Sequence, residues 1–417
     1  MDVLRERSAG LDVHRSVIVA CVLASPAAGA QVSKAVQSFA ATAAGLAALV
    51  SWLRGFAVTH VGMEGTGVYW MPVYAALEAA GGMTPIVANA RHIKAVPGRK
   101  TDVIDAEWIA RLIRYGLVRA SFVPPRPIRE LRDLTRYRRT LVEVQASERR
   151  RLLKLLESAD MKLAEVLSDV FGVTGRDILR ALIAGTATPA QMAALARGHA
   201  RKKIAPLTAA LEGHLAQHQR FMLQMQLLRI EATEQQIAQL DEQIETRLEP
   251  YRAQMALLTS LPGIEWVGAA TILAEIGVDM SLFPTAGHLA AWAGVCPANN
   301  QSAGKQKGAA ARAGNRHAIT ALCNAAVSAA HRKGSYFKAK YYSLKSRIGA
   351  GKAVLAIGHK LLVCIWHMLS DGCFYRELGE SYLDRRTEQH TLKRYARKLD
   401  ALGYAIVPKQ EAALMAA

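Results

Sequence analysis

Near residue 125 the spacing of apolar residues switches from a strand-and-helix alternation to an almost purely helical one, and few folds satisfy both halves. Upstream, Val17, Ile18, Val19, Cys21, Val22 and Leu23 form a β-branched-rich strand directly after Leu11-Asp12, and Val58 to Met63 forms a second. Between them Ala40 to Leu53 has helical spacing. Glu64-Gly65-Thr66-Gly67 ends the second strand, Val68 to Ala80 restarts as a helix, and Pro85 to Ala88 is a third short strand. After Pro97-Gly98, Thr101 can cap a helix from Asp102 to about Tyr115. Such alternation predicts a partly parallel sheet covered by helices. From Pro127 to Tyr251 the pattern is helical, opened by Arg126, Arg129, Arg132, Arg136, Arg138 and Arg139. Its last stretch, Phe221 to Leu248, spaces apolar residues three or four apart in part and fits a long hairpin or coiled coil better than a compact domain. Short helices with Gly-containing turns follow from Leu258 to about Tyr382, then a basic helix and a weakly structured tail. The predicted class is α/β plus α, divided at 1–125, 126–252, 253–382 and 383–417.

Charge decides the class of partner. Lys and Arg number 53 against 34 Asp and Glu, a net charge of +19 and a pI near 9.9, which calls for a polyanion. With 51% apolar residues and a mean hydropathy of +0.09, a wholly disordered chain is excluded. Cys21, Cys296, Cys323, Cys364 and Cys373 are scattered and hold no CxxC pair, so neither a disulfide framework nor a zinc site is expected and a reducing cytoplasm is the default. The most apolar stretch, Val354 to Leu369, is broken by His359 and Lys360 and reads as a buried helix rather than a membrane span. Nothing at the N-terminus reads as a secretory address.

Four carboxylates could carry chemistry. Asp12 lies beside the first strand, Glu64 terminates another, and Asp102 and Asp105 stand three apart on one predicted helix, flanked by Arg91, His92, Lys94, Arg99 and Lys100. All-oxygen donors suit Mg²⁺, and two such ions would serve a phosphodiester displacement. The plainer alternative makes them strand-end turn residues and helix-start acids. Leu261-Pro262-Gly263-Ile264 with Gly268 resembles a helix-hairpin-helix turn whose amides can hold a phosphate, though Pro-Gly turns between helices are common. From Gln301 to Ser370 the charges include Lys305, Lys307, Arg312, Arg316, Lys338, Lys340, Lys345 and Arg347, with no Asp or Glu, which makes a phosphate-binding surface. Tyr336, Phe337, Tyr341 and Tyr342 interleave with them, and at least half belong to a core. Ser302, on a glycine-flanked loop beside Lys305 and Lys307, reads from composition alone as an ordinary loop serine.

Several segments resemble the DEDD transposases of the IS110 insertion-sequence family, which includes Piv-type DNA invertases and bridge-RNA-guided recombinases. They are Leu11-Asp12-Val13-His14-Arg15, Met63-Glu64-Gly65-Thr66-Gly67-Val68-Tyr69-Trp70, Asn89-Ala90-Arg91-His92-Ile93-Lys94, Gly98 to Ala106 with Thr101-Asp102 and Asp105, and Asn299-Asn300-Gln301-Ser302-Ala303-Gly304-Lys305. The resemblance implies an RNase H-like (RuvC-like) first region whose metal-binding acids are Asp12, Glu64, Asp102 and Asp105. It implies a coiled-coil segment and a transposase domain in which Ser302 is the nucleophile. It further implies double-stranded DNA at element ends and target, a guide RNA from the element's non-coding end, a homodimer or homotetramer, and a bacterial cytoplasm with nucleoid association. Gly65, where a Ser or Ala is usual, and the Lys- and Arg-poor loop after Ser302 depart from the pattern without removing a catalytic group. Two rival readings stand beside it: a metal-dependent junction nuclease without the serine, and a non-catalytic nucleic-acid binder.

Overall fold

The structure is a computed structural model. It describes residues 3–25, 31–90, 93, 102–296, 301, 302, 305, 306 and 314–403, with 102–104, 301, 302, 305, 306 and a few positions of the last helix by backbone alone. The chain divides into two compact units, Met1–Val123 and Pro124–Ala417.

The first unit is built on a five-stranded mixed sheet, ordered β3-β2-β1-β4-β5: β1 (Arg7–Val13), β2 (Val17–Ala24), β3 (Ser33–Ala40), β4 (His60–Glu64) and β5 (Thr84–Ala88). β1, β2 and β3 form an antiparallel meander, while β4 pairs parallel with β1 and with β5. A mixed sheet with helices on its faces is the α/β architecture expected of this region. Helices α1 (Ala43–Gly55) and α2 (Trp70–Ala80) cover one face, where Leu49, Leu53, Val73 and Leu77 meet Leu11, Val61 and Met63. The other face takes α3 (Asp102–Arg114), whose Ala106 and Ala110 pack on Val19, Cys21 and Leu23.

Two strands differ from the sequence reading. Asp12 lies within β1, not beside the first strand, because Ser8-Ala9-Gly10, buried on both faces, offers neither alternation nor a β-branched run. β3 is an exposed edge strand whose SKAVQSFA pattern carries little apolar signal.

In the second unit α4 (Arg126–Ser158) and α9 (Gln217–Leu248) form a long antiparallel hairpin, with Arg138 facing Asp241 and Arg149 facing Glu234. Its tip is sealed by α5 (Leu163–Val166), α6 (Val173–Ala184), α7 (Pro189–Ala193) and α8 (Ile204–Ala210), around a core of Leu152, Leu156, Ile178, Leu179, Leu223 and Leu227. The remaining helices are α10 (Arg252–Thr259), α11 (Trp266–Ile276), α12 (Ala286–Ala293), α13 (Arg316–His331), α14 (Tyr336–Ile348), α15 (Ala350–Asp371) and α16 (Tyr382–Asp400). A two-residue pairing, β6 (Gln301–Ser302) with β7 (Lys305–Gln306), lies between α12 and α13. By length and composition α15 could cross a membrane, yet Ile357, Leu361 and Ile365 are fully buried in this unit, as a core helix requires.

Candidate active site

In the first unit, register brings two of the predicted acids together. β1 and β4 run parallel with Gly10 opposite Gly62 and Leu11 opposite Met63, so Asp12 and Glu64 are the next positions of adjacent strands. Alternation puts both on the face opposite Leu11 and Met63, the face that α3 covers. Glycines let the helix come this close. A Cβ on Gly10 would stand 2.2 Å from the Ala106 carbonyl oxygen, and one on Gly62 would stand 2.4 Å from the Ile113 side chain. The Ser8 hydroxyl donates to the Ala110 carbonyl at 3.3 Å. With Ala110 over Ser8 and Ala106 over Gly10, α3 runs opposite to β1, so that its first turn, carrying Asp105 and the backbone of Asp102, lies toward the Asp12 end of the strand.

The two strand-end acids are engaged locally. Asp12 Oδ2 lies 3.0 Å from His14 Nε2, and Thr66 Oγ1 donates to Glu64 Oε1. Asp105 is half-buried. The donor chemistry, carboxylate oxygen throughout, fits a hard divalent cation. Among the described residues, however, no three Asp, Glu, His or Cys side chains stand close enough to share an ion. His14 and Thr66 were not assigned roles from sequence; their position two residues beyond each acid was the available signal.

In the second unit Ser302 pairs with Lys305 across the β6–β7 bridge. The turn after α10 is present. Gly263 has φ +84°, and a Cβ there would lie 2.4 Å from the Ala325 carbonyl oxygen and 2.5 Å from the Ala329 nitrogen. Glycine is thus required by close packing against α13, whatever else the turn does. Arg316 opens α13 and is exposed. Lys338 Nζ pairs with Glu380 at 3.3 Å, and Glu377 accepts from the Tyr336 amide at the start of α14. The exposed cations at the other end, Lys345 and Arg347, make no ion pair among the described residues. Lys345 instead lies 6.0 and 5.8 Å from the ring centres of Tyr341 and Tyr342. Phe337 is buried and stacks on Tyr375, as a core aromatic does. Lys340 has interactions of its own. Arg91, Lys94, Arg99, Lys100, Lys307 and Arg312, and the Thr101 cap, lie outside the described residues.

Nothing in the apolar Ala269 to Ile276 helix signals a role for residue 275, yet Glu275 is fully buried with Arg132 and Arg136 on it. Burial pushes its carboxyl pKa up, and the Arg136 hydrogen bonds, the Arg132 and Arg136 charges and the Asn315 hydrogen bond outweigh this, holding it below the usual range. Burial takes Arg132 down to about 10, which leaves it charged at neutral pH.

Comparison with known proteins decides the family. Residues 9–160 match the model of IS110-type DEDD transposases, and residues 255–342 match that of the transposase IS116/IS110/IS902 family. The chain belongs to the IS110 family of transposases. Members of this transposase family form a class of enzymes that cleave DNA and transfer its strands. Over 147 residues the chain is 32% identical to the insertion element IS110 uncharacterized 43.6 kDa protein of Streptomyces coelicolor, covering 34% of the chain and 35% of that relative. The chain thus spans about a third of that relative's length. The RuvC structure from Thermus thermophilus aligns with 28% of the chain and 99% of its own, at 14% identity and a TM-score of 0.22.

Proposed function

We propose that this chain is a DNA transposase that cleaves and exchanges strands with a divalent-metal site of Asp12, Glu64, Asp102 and Asp105 and with Ser302 as nucleophile. The observation that supports the reading is the parallel register that makes Asp12 and Glu64 neighbours on the sheet face where α3 packs. Two Mg²⁺ ions bound by these acids would stabilise the attacking and leaving oxygens of the phosphodiester exchange. Asp12 and Glu64 supply the strand-borne ligands and the start of α3 the helical ones, so an ion competes with His14 and Thr66 for the strand-borne oxygens. Ser302 Oγ attacks the scissile phosphorus, its proton leaves, and the displaced strand-end oxygen takes up a proton. The ester formed keeps the energy of the broken bond, which suits a chain with no GxxxxGK[ST] loop for a nucleotide.

The basic segment, Arg316, Lys345 and Arg347 among it, holds the DNA backbone, and the amides around Gly263 add a contact that reads no sequence. A guide RNA transcribed from the element supplies target choice, and the working form is at least a dimer. A duplex nicked just beyond the cleavage point traps the intermediate. The expected product is a protein–DNA adduct that survives denaturing electrophoresis, maps by peptide mass to Ser302 and disappears in Ser302→Ala, with DNA affinity kept. Cleavage without any adduct selects the junction-nuclease reading instead.

A further inference from the structure

The two flanks of the serine-bearing segment meet at the end of α12: a Cβ on Gly314 would stand 2.3 Å from the Ala293 carbonyl oxygen and 2.4 Å from Gly294 Cα. Only glycine permits that closure, so the two roots are held together. Next in sequence is Asn315, which does two jobs. Its Oδ1 accepts from the amides of His317 and Ala318 at 3.0 and 3.2 Å, capping α13, and its Nδ2 donates to Glu275 Oε2 at 2.6 Å.

Glu275 is an expensive residue for its position. It is fully buried, and it sits in the last turn of α11, where the helix dipole opposes a negative charge. Two arginines of α4 compensate. Arg136 donates to both carboxylate oxygens at 2.7 and 2.8 Å, and Arg132 lies 3.3 Å from Oε2 while donating to the Ala274 and Glu275 carbonyls at 3.1 and 2.6 Å. Packing alone does not require this arrangement, since apolar residues of similar volume commonly replace buried ion pairs without loss of stability. The network's distinctive product is a rigid connection from the base of the long hairpin to the residue at which the serine-bearing segment ends.

We propose that Glu275 is a positioning residue for Ser302: through Asn315, its carboxylate ties the downstream root of the serine-bearing segment to α4. A weak nucleophile must be aligned with its phosphate, and a misplacement of about 1 Å can cost roughly a hundredfold in rate. The inference rests on the serine reading above, and the test separates the two. Asn315→Ser keeps a good helix cap but is too short to reach Glu275, so folding is preserved while the tie is cut. With the nicked duplex, at a temperature well below the modestly lowered thermal midpoint that loss of the hydrogen bond brings, adduct formation in Asn315→Ser is expected to slow roughly tenfold with DNA affinity unchanged. Glu275→Gln slows it as well. The double variant Glu275→Gln/Asn315→Asp exchanges donor and acceptor while conserving charge, and is expected to recover rate relative to Glu275→Gln. A wild-type rate in Asn315→Ser, or a loss of rate that only tracks lost stability or DNA affinity, overturns the tie alone. No adduct in the wild-type chain, or an adduct that persists in Ser302→Ala, overturns the serine reading and the tie with it.

Discussion

Each strand-end carboxylate is hydrogen-bonded to a residue two positions on, Asp12 to His14 and Glu64 to Thr66. Both pairings are exposed, so a cation can compete for the carboxylate oxygens, and both acids were legible in sequence as carboxylates at predicted strand ends. Asp12→Asn, Glu64→Gln, Asp102→Asn and Asp105→Asn preserve volume but remove a ligand charge. Each is expected to lower strand cleavage in Mg²⁺ by more than about 100-fold while thermal midpoint and DNA binding hold. Cleavage of a labelled duplex, with EDTA as the metal-free control, measures this, and one variant cutting at the wild-type rate refutes the quartet. Glu275 and His317 make a second residue-scale prediction. The Glu275 carboxyl is held low against burial by Arg136, Arg132 and Asn315, and His317 is held low by burial and by Arg136, against Glu275 and with Arg139 and Arg316 adding to the effect. Both groups bind protons more readily unfolded than folded. Their stability is therefore fully present above about pH 6.5, falls as His317 must charge, and falls again below about pH 4 as Glu275 protonates. Thermal melts across pH 3 to 8 are expected to show a plateau at the high end and losses toward acid; a midpoint that rises with acid contradicts the assignment.

At the scale of elements, the basic segment separates into used and unused charge. Composition marked Lys338 and Lys340 as equivalents, but Glu377 and Glu380 occupy the start of α14, leaving Lys345 and Arg347 on its exposed end. Reversing Lys345 or Arg347 to Glu is expected to reduce the salt slope of DNA binding by about 0.7 to 0.9 each, and Lys338→Glu by less. A titration of affinity between about 50 and 200 mM salt checks this; equal effects at all three positions would return the surface to a uniform patch. The long helices were legible from their apolar spacing, and α1, α2, β2, β4 and β5 from theirs. β1 and β3 were not: β1 is buried on both faces like β2, but Ser8-Ala9-Gly10 gives it no β-branched run, and β3 buries only Phe39.

At the scale of the whole molecule, the acids and Ser302 fall in separate compact units. The dimer proposed above makes a prediction of its own if the acids of one subunit work with the serine of another. Mixing Asp12→Asn with Ser302→Ala, each inactive alone, is expected to restore up to about a quarter of wild-type recombination if subunits pair at random in a dimer with two composite sites. Chains mixed before assembly that stay at the background of either variant place acid and serine in the same subunit.

By itself the sequence determined the division into a sheet-bearing part and a helical part, the expectation of a polyanionic partner and the candidate acids, while Ser302 stood out only through the family resemblance. These follow from periodicity, net charge and local motif, which are properties of short windows and of sums. The tertiary structure decided what depends on distant residues meeting. Asp12 and Glu64 are neighbours because β1 and β4 share a parallel register, and Gly10 and Gly62 let α3 lie on that face. Gly263 is a packing glycine, Lys338 is neutralised by Glu380, and Glu275, one acid in an apolar helix, acquires meaning only when Arg132, Arg136 and Asn315 arrive from two other elements. A buried charge is stable only with partners, and nothing local to residue 275 names partners about 140 residues away on one side and 40 on the other.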